Sequence, residues 1–277
     1  MRQFFSAQRL MGFSDMFMRL SIMGLLATGL WLTGCAQNPS GSSNNLPYDQ
    51  QPIGRETGDV ESARVHTELG AEYFRLKRYD VALEEFTTAT ERSPSYALAY
   101  NGLGLVYASL GDKSRAETAF QRAIQLQPVN SESHNNYGRF LCDQGRYDDS
   151  QKEFLLAVKN PLYKTPQVAY YNAGVCALRS KQKPQAEAYF TKALQVDPLA
   201  HASAYQLANL QFGRGDSSAA LNSLQNSVSV APTPESLFLA VRIYRALQMQ
   251  DEAHHYSVQL HKLFPNSNET KQLLKME

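Results

Sequence analysis

The sequence predicts an all-α protein: an array of about six helix pairs, or about 13 antiparallel helices, behind a signal peptide and a flexible tether. Three observations carry this. Proline recurs at Pro94 and Pro128 and again at Pro198, Pro232 and Pro265, with gaps of 34, 70, 34 and 33 residues; a fixed period of this length marks a repeat array. Alignment on those prolines brings small and large residues into common columns. Within each period, apolar residues recur at helical spacing between short turns. An array of this kind packs serially, so 277 residues need not resolve into the one or two globular domains that length alone suggests.

Unit one, 63–96, holds Leu69-Gly70, Tyr73, Ala82, Phe86, Ala89 and Pro94, and unit two, 97–130, holds Leu103-Gly104, Tyr107, Ala116, Phe120, Ala123 and Pro128. These columns resemble the tetratricopeptide repeat. The chemistry behind them is helix packing. Gly or Ala lets the paired helices approach, one Phe fills the seam, and the terminal Pro ends the second helix because it lacks a donor and clashes with the preceding turn. Later units are looser. Unit three, 131–164, has Tyr137-Gly138, Leu141, Phe154 and Ala157, with Ser150 in an alanine column and two inserted residues, Thr165-Pro166, after it. Unit four, 167–200, keeps Ala173-Gly174, Ala186, Phe190, Ala193 and Pro198; unit five, 201–233, and unit six, 234–267, keep fewer. The segment 268–277 is the capping helix that an open end needs. The resemblance implies a right-handed superhelix with the first helix of each unit lining a concave face.

The N-terminus reads differently. Leu20–Leu32 is a run of 13 uncharged residues behind Arg19. That is short of the roughly 20 residues a membrane-spanning helix needs and matches a secretory h-region. It ends in Leu32-Thr33-Gly34-Cys35, which resembles the bacterial lipobox. Residues 1–34 are expected to be a lipoprotein signal peptide and Cys35 the lipidated residue, with Ala36 after it favouring the outer membrane and Met16 or Met18 as the true start. Residues 35–59, rich in Pro, Gly, Ser, Asn and Gln, form a flexible tether with a reach of about 25–30 Å.

Composition excludes several functions. With 27 Lys+Arg against 26 Asp+Glu, the chain lacks the basic excess of a nucleic-acid binder. Its 43% hydrophobic content is too high for a disordered chain. Three cysteines cannot frame a disulfide scaffold. No phosphate loop, metal-binding His motif or nucleophile elbow is present, so neither an enzyme nor a cofactor is expected. His66 and His134 occupy a packing column, and the adjacent His254 and His255 do not share a helix face. Cys142 and Cys176 lie in the first helices of neighbouring units. Their columns differ by two positions, about 200° around a helix, so buried free thiols are expected ahead of the disulfide that an oxidising periplasm would allow.

The concave face is expected from columns 2, 5, 9 and 12 of each first helix. It contributes Phe74 from unit one, Leu98, Asn101 and Leu105 from unit two, Asn135 and Arg139 from unit three, and Tyr171 and Val175 from unit four. These are the candidate partner-binding residues. Large apolar groups there either form a groove for an apolar peptide or strand or are buried as the superhelix closes on itself. The columns that carry a carboxylate clamp in chaperone-type repeats hold Thr67, Ala71, Gly102, Glu132 and Asn136. Only the last fits, and that function is disfavoured.

The run His134-Asn135-Asn136-Tyr137-Gly138-Arg139-Phe140-Leu141, with Gln144-Gly145-Arg146-Tyr147 after it, Pro161-Leu162-Tyr163 and the closing Gln259–Pro265 are similar to type IV pilus biogenesis/stability lipoproteins, the PilF/PilW family. The resemblance implies a pilotin: a lipid-anchored protein of the outer membrane, facing the periplasm, that binds subunits of the pilus secretin and promotes their localisation and assembly into multimers, and hence twitching motility. Its implied partners are the secretin and, through the lipid, the membrane, with no nucleic acid and no small-molecule substrate. A general periplasmic adaptor lipoprotein that scaffolds cell-envelope enzymes has the same layout.

Overall fold

Each helix pair turns at one residue with a left-handed backbone. These residues are Lys77, Gly111, Gly145, Lys181, Gly215 and Gln248, with φ between 60° and 90°. Behind each, the chain closes the same bond, from the amide N–H of the next residue back to a carbonyl of the preceding helix: Arg78 to Tyr73, Asp112 to Tyr107, Arg146 to Leu141, Gln182 to Ala177, Asp216 to Gln211 and Met249 to Tyr244, all at 2.8–3.0 Å. This is the six-to-one bond of a glycine-type helix end. Its recurrence sets the register of six units independently of the prolines.

The computed structural model describes residues 55–276. Six antiparallel pairs follow in order: α1 (Arg55–Arg75) with α2 (Tyr79–Arg92), α3 (Ala97–Ser109) with α4 (Lys113–Leu126), α5 (Ser131–Asp143) with α6 (Tyr147–Lys159), α7 (Pro166–Arg179) with α8 (Lys183–Val196), α9 (His201–Gly213) with α10 (Ser217–Val230), and α11 (Pro234–Ala246) with α12 (Gln250–Leu263). A short α13 (Asn268–Leu274) closes the series, where a capping helix is expected. The expected signal peptide, residues 1–34, and the expected lipidation residue Cys35 lie outside the described residues. Helix α1 begins at Arg55, inside the stretch expected as tether, and Arg64 bridges Glu61 and Glu68 one turn to either side.

Helix starts follow capping chemistry. Asp112, Asn130, Asp216, Thr233 and Ser267 each accept a hydrogen bond from the N3 amide of the helix that follows, satisfying a donor that the helix itself cannot. Thr233 and Ser236 complete a reciprocal capping box. The inserted Thr165-Pro166 supplies the N-cap and first residue of α7, where the fixed φ of proline suits the helix.

The core is a succession of seams. The rings of Phe86, Phe120, Phe154 and Phe190 are 0–3% exposed. A Cβ built on Gly104 would meet Phe120 at 2.6 Å, on Gly138 would meet Phe154 at 2.9 Å and on Gly174 would meet Phe190 at 2.6 Å. Phe86 is gripped from both sides, by Gly70 of its own unit and by Gly102 of the next. Ala82, Ala116, Ala186 and Ala220 are fully buried in the alanine column that Ser150 shares. In units five and six the Phe–Gly pairing gives way to aliphatic packing of Leu224, Leu237, Ile243 and Leu260, closed by Leu273 of α13.

One expectation is corrected. Cys142 of α5 and Cys176 of α7 form a disulfide, with Cα atoms 5.8 Å apart. Equal columns would meet only if the two helices faced each other with the same side. In a stack, α5 meets α7 with its forward side and α7 meets α5 with its backward side, so residues from different columns are the ones that touch. Cys176 is fully buried beside Ser150 of the preceding pair, its Sγ 3.3 Å from Ser150 Oγ.

Candidate functional site

The first helices α3, α5 and α7 lie side by side, and polar side chains tie them. Asn136 Nδ2 donates to Asn101 Oδ1 at 3.3 Å, and Asn172 Nδ2 donates to Asn135 Oδ1 at 2.9 Å. Asn135 is 3% exposed, whereas Asn101, Asn136 and Asn172 are half-buried. A cavity of about 150 Å³ opens beside the second pair, bordered by Arg139, Tyr171, Asn172, Val175 and Arg179 and backed by Phe154 and the disulfide residue Cys142. This is below the roughly 300–1,000 Å³ of small-molecule sites and suits a single side chain. Arg179 pairs with Asp143. Among the described residues Arg139, which is exposed, has no such partner.

The candidate residues are thus distributed over several settings. Arg139, Tyr171 and Val175 meet at the cavity. Asn101 and Asn135 belong to the amide pairs. Leu98 is 38% exposed, Leu105 rests against the cluster of Phe120, Tyr137 and Phe140, and Phe74 packs on Tyr79 at 5.5 Å in unit one, away from the cavity. Asn172 and Arg179 were not among the candidates. A second Asn one column after the first, as in Asn135-Asn136, was the signal that could have found Asn172.

Behind this face, His134 is 4% exposed. Its Nδ1 lies 2.6 Å from Glu153 Oε2 and its Nε2 2.9 Å from the Pro128 carbonyl. Burial opposes its charge, but the Glu153 carboxylate and the Pro128 carbonyl outweigh burial and raise its pKa. Tyr100, in the same column of unit two, donates to the Pro94 carbonyl at 3.2 Å, so this column fastens the turn between units. On the other side, Arg146 reaches back 2.5 Å to Glu117, and the Arg146 hydrogen bond lowers the Glu117 pKa against a smaller opposing effect of burial. Among the described residues no group of three His, Cys, Asp or Glu is placed to hold a metal ion, and no helix is long and apolar enough to cross a membrane.

The thirteen helices of the described residues, with these columns, define a superhelical-repeat protein, and the repeat can be named. Residues 67–131, 119–152 and 168–200 match tetratricopeptide-repeat family models. The chain is 28% identical over 255 residues to the type IV pilus assembly protein PilF of Pseudomonas aeruginosa, covering 92% of this chain and 97% of that one. A solved structure of Pseudomonas aeruginosa PilF aligns with a TM-score of 0.68 at 26% identity, over 79% of this chain and all of that one. PilW, described as a widely conserved type IV pilus biogenesis factor, aligns at 0.65 and 29% identity, over 76% of this chain and 98% of that one. The chain is a tetratricopeptide-repeat protein similar to PilF and PilW.

Proposed function

We propose that this protein is an outer-membrane lipoprotein of type IV pilus biogenesis that acts as a pilotin, binding secretin subunits and promoting their localisation and multimer assembly. The observation that carries this reading is the likeness to PilF along nearly the whole of both chains. A face of first helices with apolar and amide groups, rather than a chemical site, agrees with a role in binding protein. The Leu32–Cys35 lipobox supports a lipid anchor at Cys35, stable because each buried methylene contributes about 0.8 kcal/mol. The Cys142–Cys176 bond supports an oxidising compartment such as the periplasm.

In a strain lacking the gene, heat-resistant secretin multimers and twitching motility should disappear; normal multimers there would sink the proposal. Cys35→Ser should leave the protein soluble in the periplasm. Leu98→Asp is the cleaner test of the face than a change at Leu105, because Leu98 is exposed while Leu105 supports a buried cluster. It should weaken secretin capture and leave helicity unchanged.

A further inference from the structure

The face of first helices α3, α5 and α7 carries an arrangement that a generic apolar groove would not. The amide pairs Asn101–Asn136 and Asn135–Asn172 bridge three consecutive first helices. A side-chain amide has two N–H donors and a two-lone-pair oxygen, and each of these bonds uses one donor and one lone pair. Asn136 and Asn172 therefore keep an N–H and an oxygen, and Asn101 keeps its NH₂, all on half-buried side chains. An open donor beside an open acceptor is the complement of a peptide unit. Neighbouring helices pack about 8–10 Å apart, close to the span of three residues of extended chain at about 3.3 Å each.

Charge and shape refine the match. The cavity beside Asn172 is lined by two guanidinium groups, Arg139 and Arg179, against one carboxylate, Asp143. Asp143 is taken by Arg179, which leaves Arg139, among the described residues, as the unmatched charge at the rim. Tyr171, Val175 and Phe154 make the cavity wall apolar. The disulfide joins the helix that carries Arg139 to the one that carries Tyr171 and Val175, so the two halves are held in place before anything binds, which reduces the ordering cost of association.

We propose that this face binds an extended peptide segment in which an acidic side chain stands next to an apolar one. The segment's backbone lies along the two asparagine pairs, its carboxylate meets Arg139, and its apolar side chain enters the cavity between Tyr171 and Val175. The inference deepens the pilotin proposal and rests on its assumption that this face is the one that takes a partner.

The test is selection of a phage-displayed random peptide library on the full-length protein, followed by titration of the synthetic consensus peptide. The expected consensus pairs Asp or Glu with an aliphatic or aromatic residue. Arg139→Glu, at an exposed position, should turn the acidic preference into one for Lys or Arg, a switch that loss of folding cannot mimic. Replacing Asn136 and Asn172 together by Ala should weaken the wild-type consensus peptide by about tenfold while leaving the preference unaltered, the size expected for losing hydrogen bonds to a backbone. No consensus, a purely apolar consensus, or the same acidic preference in Arg139→Glu would each overturn the inference. If wild-type protein and Arg139→Glu capture secretin equally well and no acidic consensus emerges, this site fails and the pilotin proposal stands. If an acidic consensus switches as expected but wild-type protein captures no secretin, the reverse holds.

Discussion

Gly102 shows how much a single hydrogen atom can carry here. A Cβ at this position would lie 2.2 Å from Phe86 Cε1 and 2.4 Å from Cζ, and Phe86 has no free space to yield because Gly70 closes its other side. Gly102→Ala should therefore lower unfolding free energy by about 3 kcal/mol, the upper end for overpacking, in urea titration. Adding Phe86→Leu should recover part of the loss, since the shorter side chain vacates the clash. His134 makes the second argument at this scale. The folded ring holds its proton more tightly than the unfolded one, whose pKa is about 6.5. Its contribution is complete below that value and is lost as pH rises through the raised folded value. Denaturation of wild type and His134→Gln should diverge most at pH 6 or below, by about 1–3 kcal/mol for a buried hydrogen bond to a charged group, and converge as the solution becomes alkaline. Parallel curves at every pH would mean that the ring is neutral when folded.

Among the helices, the disulfide is the link whose removal is easiest to predict. It closes a loop of sequence separation 34 between α5 and α7, and a loop of that length corresponds to about 3–4 kcal/mol in the chain-entropy account. Reduction, or Cys142→Ala with Cys176→Ala, should lower stability by up to that amount, and amide exchange should rise first in α5 to α8. The pairing also shows which features the sequence makes legible. A repeat period aligns a unit with itself, so everything internal to a unit is readable: the Gly–Phe seam, the alanine columns, the turn and the terminal Pro. Contacts between units join different columns, so aligning the units on one another does not display them. Cys142 meets Cys176, Asn135 meets Asn172 and Phe86 meets Gly102, none of them at a column match. The candidate face is legible in outline for the same reason: its members lie on single helices, while the amides and the salt bridge that join the helices depend on their stacking.

Across the whole array, packing passes only between neighbours, since seams follow one another and no central core collects them. Stability should then be a sum of local terms, with damage staying close to where it is made. The C-terminal end gives the sharpest case. Leu273 of α13 is fully buried against the cluster of Leu237, Ile243 and Leu260, and Thr270 Oγ1 donates to the Phe264 carbonyl at 2.7 Å, so this short helix is a lid on an otherwise open apolar seam. Ending the chain before Asn268 should uncover that seam and raise amide exchange strongly in α11 and α12, weakly in α9 and α10, and not in α3 to α6. Leu273→Ala should reproduce the pattern at lower amplitude, with a loss of about 2–5 kcal/mol felt by the C-terminal units. Uniform deprotection from α1 to α12 would show that the units unfold as one. A localised response would mean that the face of units two to four, braced by its own disulfide and amide pairs, holds its geometry while the far end frays, so that peptide binding survives a truncation that visibly destabilises the protein.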